Sequence, residues 1–125
     1  MATLGELENR VRSGLDDPHD PVCRWDASAV LTALVDAVRR LNSTRPESRY
    51  FQLLLHAHDF PVTDRADAGF DESAARAFTL NVDPRWEQAI VYYAQARCLE
   101  TDSADMANQQ LAADFFAKAE RAMLS

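Results

Sequence analysis

With 125 residues, 47% of them hydrophobic and 26% charged, the chain has the length and composition of one globular domain and not of a disordered tract. Its 20 Asp and Glu residues against 13 Lys and Arg leave a net charge of −7, which repels phosphate backbones and anionic lipid heads and argues against a nucleic-acid-binding or membrane-surface role. No apolar run approaches the roughly 18 residues of a membrane span; Met1 to Asp17 carries Glu6, Glu8, Asp16 and Asp17, unlike a signal peptide; and Cys23 and Cys98 form no CxxC pair, so synthesis in a reducing compartment is the simplest reading, with a disulfide between them as the alternative.

Thr3-Leu4-Gly5-Glu6 has the capping-box pattern, in which a threonine hydroxyl and a glutamate three residues on satisfy each other's free N–H groups. Leu4, Leu7, Val11 and Leu15 follow at helical spacing, so a first helix is expected over 4–15. Asp16 to Val22, with two prolines and three aspartates, reads as a turn. Asp26 then caps a second helix carrying Val30, Leu31, Leu34, Val35, Val38 and Leu41 on one side and Asp36, Arg39 and Arg40 on the other. Asn42 and Ser43 end it, and Pro46 confirms the break.

The stretch from about 50 to 82 reads as an insert between the second and third helices. Tyr50 to His58 reads as a strand or as a helix continuing from Pro46; the preferred picture pairs Phe51 to Val62 with Ala77 to Val82, whose apolar and polar residues alternate, as a two-stranded ribbon across an acidic loop at 64–73. Asp83 caps a third helix with Pro84 in its first turn, where the missing N–H costs nothing. That helix runs through Trp86, Ala89, Ile90, Tyr93 and Cys98 to a polar break at 100–103. A fourth helix spans about 104–123, with Leu111, Ala112, Phe115, Phe116, Ala119 and Met123 as a broad apolar face. The fold class expected is mainly α, one domain over 1–125 with a four-helix core and a short β-ribbon or extended loop inserted between helices 2 and 3.

One cluster resembles a metal site. His56, His58 and Asp59 would share a face of a strand and could meet one ion. The only other histidine is His19, and the pattern falls short of the metallo-β-lactamase signature, so a metal-dependent hydrolase is the alternative reading and an exposed strand edge the simpler one. Neither cysteine has a visible activating partner, no GxSxG elbow or glycine-rich phosphate loop occurs, and no catalytic residue, cofactor or metal is assigned. Trp25 and Trp86 each stand at a helix start, where they can staple the helix to the core or anchor a partner. Phe115 and Phe116 lie about 100° apart on one helix, so one is expected to face the core and the other a neighbour. Ala119 and Met123 complete the candidate contact surface.

Three stretches carry a likeness to a known family: the opening helix with Thr3-Leu4-Gly5-Glu6-Leu7; Arg24-Trp25-Asp26 leading through Ala27 to Asn42 and closing on Arg45-Pro46; and Asp83-Pro84-Arg85-Trp86 leading into Ala89-Ile90-Val91-Tyr92-Tyr93, followed by an alanine-rich last helix. In this order they resemble the head–tail connector, or adaptor, proteins of tailed bacteriophages, over about two-thirds of the chain. The resemblance implies a non-enzymatic virion structural protein made in the host cytoplasm and sited at the head–tail interface. It implies a ring, commonly of about twelve copies, bound to the portal protein and to tail or other connector proteins, through which DNA passes without specific binding. A helical module binding one cellular partner is a further alternative.

Overall fold

The computed structural model describes residues 2–15, 25–45, 61–80, 82–101 and 106–124. In these stretches the chain is mainly helical: α1 (Leu4–Leu15), α2 (Ala27–Thr44), a short α3 (Glu72–Ala77), a 3₁₀ turn (Pro84–Trp86), α4 (Glu87–Thr101) and α5 (Met106–Leu124). No helix among the described residues is long and apolar enough to cross a membrane.

The helix starts follow the expected chemistry. Thr3 Oγ1 accepts from the Glu6 N–H at 3.2 Å, and Asp26 Oδ1 accepts from the Ala29 N–H at 2.8 Å. Asp83 accepts from the Arg85 N–H at 3.0 Å, with Pro84 next to it, so the third expected helix opens as a 3₁₀ turn before α4 proper. Of the polar break expected at 100–103, Glu100 and Thr101 belong to α4, where the Thr101 hydroxyl folds back onto the Cys98 carbonyl at 2.7 Å, and 102–103 lie outside the described residues.

α2 and α4 are the centre of the molecule. α2 buries Val30, Leu31, Leu34, Val35, Val38 and Leu41 together with three alanines and Ser28. α4 packs on α1, α2 and α5, and its buried residues (Ala89, Ile90, Val91, Ala94, Gln95, Ala96, Cys98, Leu99) occupy more than one face. Its buried alanines keep side-chain bulk off the contact faces. α1 closes one flank with Leu4, Leu7 and Val11, and α5 lies along α4.

The expected ribbon is not formed among the described residues. Residues 50–60, including His56, His58 and Asp59, lie outside them, and the alternation over 77–82 serves a different partner. Leu4 N–H donates to the Phe78 carbonyl and Leu80 N–H to the Ala2 carbonyl, both at 2.9 Å, giving one antiparallel bridge between Thr3 and Thr79. Leu80 and Val82 are buried while Thr79 is exposed, so the alternation is real. What it fits is the chain's own N-terminal lead-in, whose two-bond bridge is too short for a strand. Just before it, Asp71 accepts from the Ala74 N–H at 3.2 Å and caps α3, a helix that stands where the loop was expected to run into the strand.

The return segment at 61–65 is tied to α2 by hydroxyls. Ser28 Oγ donates to the Thr63 carbonyl at 2.6 Å and accepts from the Arg65 N–H at 2.9 Å, and Thr32 Oγ1 bonds Thr63 Oγ1 at 3.0 Å. A buried carboxylate ties α3 to α1. Glu8 is fully buried, accepts from Arg12 Nε at 3.1 Å and receives Arg76 Nε at 2.7 Å. Arg76 also reaches Glu72 at 3.3 Å. Ionised groups out of water demand this kind of pairing.

Candidate functional site

The residues singled out at helix starts are spent on the core. Trp86 is nearly fully buried, with the Arg85 guanidinium 4.2 Å from its ring centroid, and Trp25 is buried ahead of α2. Both therefore staple helix starts in the single chain. On α5, Ala119 and Met123 are also fully buried. Cys98 is a buried cysteine on α4. Among the described residues no group of three or more His, Cys, Asp or Glu could hold a metal.

Phe115 and Phe116 are both half-buried, and each is paired with a tyrosine of α4. Phe115 lies 6.1 Å from Tyr92, tilted by 30°, and Phe116 lies 5.2 Å from Tyr93 in an edge-to-face contact. The expectation of one inward and one outward ring is thus replaced by two rings straddling the α4–α5 seam. The outward apolar residue is instead Leu111, which was expected on the apolar face and is 44% exposed; Leu124 is 63% exposed at the helix end. Among the described residues α5 has one main neighbour, α4, and only slight contact with α2. A single neighbour covers a narrow stripe, here Ala112, Ala119 and Met123.

Polar tethers hold the far end of α5. Arg45, the residue that closes α2, donates through Nε to the Met123 carbonyl at 2.7 Å and through Nη2 to the Leu124 carbonyl. A cation there satisfies C-terminal carbonyls that have no partner within the helix and opposes the helix dipole. Arg40 adds an ion pair to Glu120 at 3.2 Å.

Beside the seam, α1, α4 and α5 enclose a cleft of about 440 Å³. Tyr92 and Phe115 form its aromatic wall, Ser13 and Gly14 of α1 its opposite wall, and Gln95 and Arg10 are its principal polar lining. Arg10 Nη1 reaches Glu87 Oε1 at 3.2 Å and Nη2 donates to Gln88 Oε1 at 2.7 Å. Lys118 lies over the aromatic wall, its Nζ 5.8 Å from the Tyr92 centroid and 5.3 Å from that of Phe115. No carboxylate lies within ion-pair reach of Lys118 among the described residues.

Gln95 is 3% exposed, its Nε2 makes only a long bond of 3.4 Å to the Val11 carbonyl, and its Oε1 has no partner. A buried amide oxygen left unpaired is unfavourable. Gly14 makes the placement feasible: a Cβ at that position would stand 2.0 Å from Gln95 Nε2.

Sequence reasoning did not find this cleft. Its residues come from three helices, and no local spacing joins Arg10, Gln95 and Lys118. One signal was available: Lys118 is the single lysine in a chain whose other twelve basic residues are arginine. The Glu8 and Arg12 pair, on the apolar stripe of α1 where charge is out of place, was a signal for the separate buried network with Arg76. Compared with family models, with curated proteins and with solved structures, the chain has no match.

Proposed function

We propose that the chain is a virion structural protein, a head–tail connector of a tailed phage that forms a ring under the portal, extends the DNA channel and docks the tail. It works by assembly and not by catalysis. The sequence stretches at 3–7, 24–46 and 83–98 support the family, and their helices occur in the expected order.

The observation that carries an assembly role is the one-sided packing of α5. A helix of 19 residues that leans on one neighbour and keeps Leu111 and Leu124 in water has apolar surface to offer a second chain. Its polar tethers at Arg40 and Arg45 hold it in register while that surface stays open.

The test is the native mass of the purified chain, alone and then mixed with the portal ring from the same genome. A portal complex heavier by about twelve copies is the expected result. A chain that stays monomeric or dimeric and ignores the portal overturns the reading, and metal analysis with His56 and His58 changed to alanine is then the next experiment. Because both phenylalanines are half-buried, the variant that separates assembly from folding is Leu111→Asp. It is expected to keep the helical circular-dichroism signal and to lose portal-dependent assembly.

A further inference from the structure

We infer that the cleft between α1, α4 and α5 receives the acidic loop at 64–72 of a second copy of this chain. The inference rests on the connector reading for its setting and adds the contact that would join neighbouring copies.

Charge is the first ground. The loop carries Asp64, Asp67, Asp71 and Glu72 against one cation, Arg65, which lies 3.8 Å from Asp26. The three aspartates are exposed, and among the described residues neither Asp64 nor Asp67 has an ion-pair partner. The cleft is the complement. Lys118, with no carboxylate in ion-pair reach among the described residues, lies over its aromatic wall, and Arg10, already paired with Glu87, stands on one side of it, in a protein whose net charge is −7. Opposite potentials of this kind steer encounter and set register.

Placement is the second ground. The loop is anchored to α2 at Ser28 and Thr32 and leads into α3, which packs on α1 and α2. The cleft is built from the second half of α1 with α4 and α5. Donor and receiver are therefore different surfaces of one chain. A contact between unlike surfaces repeats head to tail, and it closes into a ring when the rotation fits.

Hydrogen bonding is the third ground. Within the loop, the N–H groups of Ala66 and Gly69 go to aspartate carboxylates and those of Asp67 and Phe70 to main-chain carbonyls. Ala68, exposed between them, keeps a free N–H. The cleft lining includes Gln95, whose Oε1 has no partner and whose Nε2 makes one long bond to the Val11 carbonyl.

Because Lys118 is the only lysine, a zero-length amine–carboxylate coupling reports its neighbours directly. Equal amounts of ¹⁴N- and ¹⁵N-labelled wild-type chain are coupled at high concentration and again on the portal, then digested and weighed. Mixed-isotope links from Lys118 to Asp64, Asp67, Asp71 or Glu72 are expected. Lys118→Glu with Arg10→Glu should weaken self-association about tenfold or more, and Asp64→Arg with Asp67→Arg should restore it only toward that reversed cleft.

Mixed-isotope links from Lys118 only to other carboxylates, no such link in either setting, or no rescue by the reversed pair overturns the inference. The connector reading fails separately. A ring that forms on the portal with Lys118 linked elsewhere removes this contact alone, whereas a loop-to-Lys118 link in a chain that ignores the portal removes the connector and keeps the contact.

Discussion

α2 and α5 are nearly the same length, 18 and 19 residues, and both are rich in alanine and large apolar side chains. Yet α2 buries ten side chains, whereas α5 buries only Ala112, Ala119 and Met123 among the residues described along it. The difference lies in the number of neighbours. α2 meets α1, α3, α4 and α5, whereas α5 rests on α4 and touches α2 only slightly. Apolar content alone does not say whether a helix is scaffold or surface; the number of elements packed around it does.

That contrast can be broken first where the α2 flank is tied together. Glu8→Ala leaves the nearly buried Arg12 without its carboxylate and frees Arg76 from α1, and it is expected to cost about 3–5 kcal/mol in a denaturant melt. A loss below about 1 kcal/mol would mean that water replaces the carboxylate and that the network is incidental. Next, Leu34→Ala in the fully buried face of α2 is expected to cost about 2–5 kcal/mol. Asp26→Ala removes the acceptor at the start of α2 and should cost about 1 kcal/mol. Smallest of all, Leu111→Ala on α5 should change stability by no more than about 0.5 kcal/mol. If Leu111→Ala destabilised the isolated chain as much as Leu34→Ala, α5 would be part of the scaffold and its open face would carry no assembly role.

The acidity of the chain is also unevenly shared. Residues outside the described stretches hold seven of the 20 acids (Asp16, Asp17, Asp20, Glu47, Asp59, Asp102, Asp105) and two of the 13 bases (Arg24, Arg49). Most of the excess negative charge therefore lies outside the described residues. Where the helices are charged, the charges are largely paired, as in Arg10 with Glu87, Arg97 with Glu100, and Arg40 with Glu120. Lys118 and the loop aspartates stand out against that background.

Local chemistry was enough to read the four longer helices. Thr3, Asp26 and Asp83 each accept from an N–H that their own helix leaves free, a contact made within three residues and so visible in the sequence. Periodicity likewise identified the buried faces of α1 and α2, because a side chain's face follows from backbone geometry. The partner of residues 78–80 was not legible, since alternation says that one face is buried and not which strand or lead-in lies beside it. α3 was missed because six residues are too few for a periodic signal, and the exposure of Leu111 because it depends on which elements pack around α5. By itself the sequence determined the helix starts, the core faces of α1 and α2 and the mainly α class, all properties of contacts a few residues apart. Packing alone set the pairing of Ala2–Leu4 with 78–80, the reach of Arg76 to Glu8, and the meeting of Arg10 and Gln95 at one cleft beside Lys118. Those contacts link residues 23 to 108 positions apart, and no local rule of spacing reaches so far.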